Sequence, residues 1–135
     1  MQLHEGKNNH NNFGNDQLSG ININYDGHEK LVMRFDNAVV KDWCEVTLDW
    51  IEEIKSFSQM ADNIWSKGER ECKLYPDDFR GLMMRTMVRP NETEIQFLKN
   101  YQAVRVVMGK EKAEEFWKSI DRVLKEPGTI RLKFS

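Results

Sequence analysis

Two cysteines, three histidines and three adjacent carboxylate pairs are the residues of this 135-residue chain from which covalent or metal chemistry could be built. Cys44 and Cys72 are too few and too far apart for a zinc ribbon or a redox C-x-x-C pair. Each sits in an apolar-patterned stretch, where a free Cys behaves as a small buried hydrophobe. His4 and His10 fall in an asparagine-rich opening segment, too sparse for a metal-binding tract, and His28 follows a turn signal. A nucleophile pair of Cys44 or Cys72 with His28 has no local feature in its favour. Asp77-Asp78, Glu52-Glu53 and Glu114-Glu115 have the chemistry to hold a divalent cation or to divide acid and base roles. Two of these pairs lie on the polar faces of expected helices, however, and Asp77-Asp78 follows Pro76, where turn formation accounts for them. No G-x-S-x-G elbow, P-loop or G-x-G-x-x-G run occurs. No catalytic residue, metal ligand or cofactor is expected.

Binding residues are easier to nominate. Met83 and Met87 interleave with Arg85 and Arg89, and Met with Arg is a pairing enriched at protein interfaces. Arg34, Arg85, Arg105 and Arg131 fall in expected strands, whereas the acids Asp49, Glu52, Glu53, Asp62, Glu111, Glu114, Glu115 and Asp121 fall on expected helices. With both helices on one sheet face, the other would carry Arg85, Arg105, Arg131 and Lys133. Internal pairing, with Glu71 or Glu94 for instance, competes with partner binding for these arginines. Of the four tryptophans, Trp50 and Trp65 suit a helix's core face; Trp43 and Trp117 would anchor an interface if exposed. The expected partner-binding set is Met83, Arg85, Met87, Arg89, Arg105, Arg131, Lys133, Trp43 and Trp117.

The elements that position these residues follow from hydrophobic periodicity. Residues 1–20, rich in Asn and Gly, read as a flexible tail ahead of a single α+β domain at 21–135. Ile21, Ile23 and Tyr25 alternate with polar residues, Asp26-Gly27 suits a type I′ turn, and Leu31, Met33 and Phe35 alternate after it. Residues 39–46 form a third extended piece. Trp50, Ile51, Ile54, Phe57, Ala61, Ile64 and Trp65 form one helical stripe over 48–67, about 30 Å long at 1.5 Å per residue, with Thr47 or Asp49 as its cap. Cys72 and Leu74 begin a second series of strand signals, broken by Pro76-Asp77-Asp78. Runs at 79–88, 93–98 and 103–108 read as a meander, with Gly81 a candidate bulge and Phe35, Phe79 and Phe97 facing the core. Ala113, Phe116, Ile120, Val123 and Leu124 stripe a second helix, and Ile130, Leu132 and Phe134 a last strand. The expected fold is α+β: an antiparallel sheet of about six to seven strands with two helices packed on one face, in the order β-β-(β)-α-β-β-β-α-β.

Composition sets outer bounds. Hydrophobic residues are 39% and charged residues 31%, with a net charge of -2. That excludes collagen-like, coiled-coil and disulfide-scaffold classes and gives no strong field toward DNA or acidic membranes. No apolar run has the length of a membrane helix, and the opening residues lack the basic and then apolar regions of a secretory signal. A cytoplasmic location is therefore expected.

The leading functional expectation is a non-enzymatic, small protein-binding domain, of the kind represented by inhibitors and immunity-type proteins, taking a partner protein with an acidic surface. Single-stranded nucleic acid on the basic sheet face, with Tyr75 or Tyr101 stacking on bases, is the alternative. An enzyme using loop carboxylates ranks third. A homodimer formed through an edge strand is a further expectation.

Overall fold

Alternating runs become strands because period-two patterning gives each strand one apolar face to bury. The computed structural model describes residues 1–5, 12–13, 18–39 and 41–134. Strands β1 (Gln2–Glu5), β3 (Gly20–Tyr25), β4 (Leu31–Asn37), β5 (Asp42–Leu48) and β10 (Gly128–Lys133) form one sheet in the order β1-β5-β4-β3-β10, all antiparallel. Strands β6 (Glu71–Asp77), β7 (Leu82–Val88), β8 (Glu92–Lys99) and β9 (Gln102–Gly109) form an antiparallel meander. To it the two-residue β2 (Asn12–Phe13) adds in parallel beside β9.

The expected single sheet of six to seven strands is thus two sheets. Periodicity identifies a strand but not its neighbour. The first helix carries the chain from β5 to β6, which pairs with β7 and not with any strand of the first sheet. β10 then returns to the first sheet, where Ile130 and Leu132 stand opposite Ile23 and Ile21.

Two helices pack on the inward faces of both sheets. α1 (Ile51–Ala61) contacts β5 and β6; α2 (Lys110–Lys125) contacts β3 and β10 of one sheet and β8 and β9 of the other. One continuous cluster joins them, with Phe35, Phe57, Phe97 and Phe116 fully buried. Phe57 meets Phe97 at 5.9 Å and Trp117 at 5.8 Å between ring centres, and Phe35 meets Phe116 at 6.0 Å.

The first helical stripe is buried from Ile54 onward, but its expected first members, Trp50 and Ile51, are exposed at 38% and 42%, because the helix starts later than the periodicity suggests. Leu48 ends β5, and α1 continues through one π-helical turn (Asp62–Ser66). Neither Thr47 nor Asp49 caps it: the N-cap is Trp50, without a side-chain hydrogen bond. Glu53 replaces the cap by reaching back, its Oε1 accepting from the Asp49 N–H at 3.3 Å. It is fully buried, not on a wet face. Its Oε2 lies 2.6 Å from the Met1 ammonium, which also meets Asp49 Oδ1 at 2.8 Å. A buried carboxylate is tolerable only when paired in this way.

The expected flexible tail fails at both ends. Gln2–Glu5 is a strand beside β5, and Leu18 is buried at 2% exposure. Residues 6–11 and 14–17 of that segment, including His10, lie outside the described residues. The Asp26-Gly27 turn is also longer than type I′: five residues separate Tyr25 from its partner Leu31. Asp26 organises the loop, its Oδ1 accepting from the N–H groups of His28, Glu29 and Lys30 at 2.8 to 3.1 Å. Gly27 takes φ +84°, and a Cβ there would meet Pro127 Cγ at 2.8 Å.

Candidate functional site: the outer face of the second sheet

Register places the outward residues of β6 to β9 in rows across the strands. Glu71, Met87, Glu94 and Val107 form one row; Lys73, Arg85, Gln96 and Arg105 a second; Met83, Leu98 and Ala103 a third. The inward positions between them, Leu82, Met84, Ile95, Phe97, Val104 and Val106, are in the core. Apolar and cationic side chains therefore share one face that neither helix covers.

Glu94 is the centre of that face. Its side chain is only 3% exposed, although it points away from the core, because cations lie across it. Arg105 Nη2 donates to its Oε1 at 2.8 Å, Arg89 donates to the same oxygen at 3.3 Å, and the Gln96 amide donates to Oε2. Burial works against the Glu94 charge, but the bonds from Arg105, Gln96 and Arg89 outweigh it and hold the carboxyl below its ordinary range. The Arg105 guanidinium is in turn shifted up by its bond to Glu94. Arg85 is fixed separately, donating to Glu71 at 2.7 Å. Pairing and openness coexist here: the side chains of Arg85, Arg89 and Arg105 keep 30%, 43% and 44% exposure.

At one end of this face two turns meet. The single 3₁₀ turn Asp78–Arg80 precedes β7, and the two-residue loop Asn100-Tyr101 joins β8 to β9. The Asn100 N–H donates to the Gly81 carbonyl at 3.2 Å. Phe79 and Tyr101 both project fully into solvent from these turns, and Tyr75 is half exposed nearby in sequence on β6.

The nominated residues therefore separate. Met83, Arg85, Met87 and Arg105 share the outer face of the second sheet, with Arg89 at its border. Arg131 and Lys133 belong to β10 and so lie on the outer face of the other sheet, apart from Arg85 and Arg105; the shared platform is corrected by the split of the sheets. Trp43 lies on that other face too, opposite Asp36, with the Arg34 guanidinium 4.6 Å from its ring centre. Trp117 is 2% exposed and packs on Phe57 and Phe116, so it is a core residue and not an interface anchor. It stands seven residues after Lys110 on the α2 side that meets both sheets, which the stripe of Ala113, Phe116 and Ile120 left out.

Sequence reasoning missed Phe79 and Glu94 as surface features. Phe79 was expected in the core, on the face of Leu82 and Met84, which its odd position reaches only if the strand already runs there and is bulged at Gly81. Instead Asp77 accepts from the Arg80 N–H at 3.2 Å and holds 78–80 in a helical turn. The Pro76-Asp77-Asp78 breaker was the available signal, three residues more extensive than its reading. Gly81 closes that turn with φ +67° and is not a bulge; the register irregularity lies in β6, between Leu74 and Asp77.

The remaining chemistry is sparse. Cys44 and Cys72 are both buried and neither is in a disulfide, as expected of them. Among the described residues no group of three or more His, Cys, Asp or Glu is arranged to hold a metal ion, and no helix is long and apolar enough to cross a membrane. A cleft of about 410 Å³ opens between the π-helical turn, the β7–β8 turn and the start of α2, with Ile64, Trp65, Val88 and Ala113 in its wall. Its rim carries Arg70, Arg89 and Lys110 against Glu69, Glu92 and Glu114, so neither sign of charge dominates it. No family model, no curated protein and no solved structure matches this chain.

Proposed function

We propose that this chain is a non-enzymatic binding protein that grips another protein through the outer face of β6 to β9. One observation carries the reading: Met83, Met87 and Leu98 are only partly covered, on a face whose arginines are already held in place by carboxylates of the same face. An arginine whose fork is fixed before binding loses less rotamer freedom on contact, which lowers the entropy cost of association. Partly exposed apolar side chains between such cations offer burial together with charge-assisted hydrogen bonds to acidic groups. Small inhibitors and immunity-type proteins act in this way, an analogy that rests on small size and α+β class alone, with no shared motif behind it.

The test compares capture by the immobilised chain from an extract of its own cells. The reading expects one stoichiometric protein held by the wild type and by Val32→Glu, altered on the outer face of the other sheet, but lost by Met87→Glu. Equal retention by all three chains contradicts it.

A second reading, single-stranded nucleic acid on the same face, is favoured by the exposure of Tyr75 and Tyr101 and by Lys73 Nζ, 5.5 Å from the Tyr75 ring centre. Its test is fluorescence anisotropy of labelled single-stranded DNA and RNA at low salt, where absence of binding removes it.

A further inference from the structure

We infer that the cleft between the π-helical turn, the β7–β8 turn and the start of α2 binds a small, uncharged, largely apolar molecule that carries a carbonyl or similar hydrogen-bond acceptor. The observation behind it is the Trp117 indole. Trp117 lines this cleft, is 2% exposed, and its Nε1–H is buried with no hydrogen-bond partner. Among the described residues it is the only buried side-chain donor in that condition. A buried indole N–H ordinarily finds an acceptor, and one left without destabilises the fold by an amount that a ligand's acceptor would restore.

The walls fit the same class of ligand. The cleft holds about 410 Å³, inside the range of about 300–1,000 Å³ typical of small-molecule sites. Ile64, Ala113 and Trp117 are its covered members, whereas Trp65 and Val88 are partly buried and Pro90 is exposed. The single π-helical turn that supplies Ile64 and Trp65 is a feature often met at functional sites. Water does not reach Nε1 past this wall. The acceptor must arrive on a body that shifts Trp65 or Val88, the wall members with less packing to lose, and whose own burial offsets that shift.

Charge selects a neutral molecule. Among the described residues, Arg70 and Lys110 on the rim form no ion pair, and neither do Glu69 and Glu114 beside them. An anion or a cation therefore meets as much repulsion as attraction there. A carboxylate at the covered end would have a single N–H for its charge, too little to offset its desolvation. A carbonyl needs no more than that one donor.

The probe is α-tetralone, a two-ring ketone, and the control is tetralin, the same rings without the carbonyl. In the proton–nitrogen correlation spectrum of the labelled chain, the Trp117 indole peak is identified by its loss in Trp117→Phe. α-Tetralone should move that peak downfield and saturate with a Kd of about 1 mM or tighter, as befits a fragment of its size. Tetralin should bind about tenfold more weakly, the worth of one hydrogen bond. Trp117→Phe should weaken α-tetralone by a similar factor, and so should Val88→Trp, which fills the cleft and keeps the donor. Met87→Glu, on the outer face of the sheet, should bind it as wild type does, so this site and the protein-binding face succeed or fail separately. An unmoved Trp117 peak, equal binding of tetralin, or unchanged binding by folded Val88→Trp overturns the inference. Tighter binding of naphthoate than of α-tetralone also overturns it, by assigning the cleft to an anion.

Discussion

Arg105 Nη2 lies 2.8 Å from Glu94 Oε1 across adjacent strands, on the face of the sheet turned away from the core. Glu94 is nonetheless almost fully covered, because Arg89 reaches it from the β7–β8 turn while Arg105 reaches it diagonally from β9. Residues that would each be unremarkable on a solvated sheet thus become one fixed unit.

Replacing Glu94 with Gln should cost about 1.5–3 kcal/mol at pH 7, the range for hydrogen bonds to charged groups. The pH dependence has a definite sign. The folded-state carboxyl is held below its ordinary value, so its contribution is complete above about pH 4.3 and is lost as pH falls through the depressed value. Urea denaturation at pH 7 and pH 3 should show the wild-type advantage over Glu94→Gln shrinking in acid; an advantage that grows in acid would contradict the network.

Glu53 should behave as a buried ion-pair member. Glu53→Ala leaves the buried Met1 ammonium with only the part-exposed Asp49 as partner and should cost about 3 kcal/mol, the low end for breaking a buried pair, whereas Glu52→Ala, one residue away and exposed, should stay within about 0.5 kcal/mol. Partial burial opposes the charge of Asp49, but its bond to the same ammonium lowers its carboxyl overall, so this corner too should weaken in acid. Thermal melts of the two variants at pH 7 check the contrast.

Gly27→Ala combines a left-handed backbone with a collision against Pro127, and about 1–3 kcal/mol of destabilisation is expected. Gly68→Ala has a similar φ, +69°, but nothing within 4 Å of its added Cβ. The difference in melting temperature between the two isolates the contact that ties the β3–β4 loop to the start of β10.

Trp117→Phe should remove the most blue-shifted component of tryptophan emission and destabilise the chain by about 0.5–3 kcal/mol. It should leave partner retention unchanged. A loss of retention in the folded variant would return Trp117 to the interface.

These expectations also mark what the chain's pattern discloses. The β3–β4 hairpin, both helical stripes and the meander of β7 to β9 follow from periodicity because each buries one continuous face within a short segment. Pairing between distant segments leaves no such trace. Nothing local in Ile130 and Leu132 says that they will face Ile23 and Ile21, so one sheet was expected where there are two. Gln2–Glu5 has too little apolar content to announce a strand, yet it completes the edge beside β5. On the surface, the alternation of Met83, Arg85 and Met87 was legible from parity alone. Glu94 was legible only as a possible pairing partner, and its burial depends on two arginines brought from other elements. Phe79 was hidden by a three-residue turn that interrupts the very parity used to place it.

The most direct test of the central claim is photo-crosslinking inside the cell, with Leu98→p-benzoylphenylalanine on the outer face of the second sheet and Val32→p-benzoylphenylalanine on that of the first. The account predicts a discrete protein adduct from position 98 and none from position 32. Adducts from position 32 alone, or from neither position in a folded and expressed protein, would contradict it.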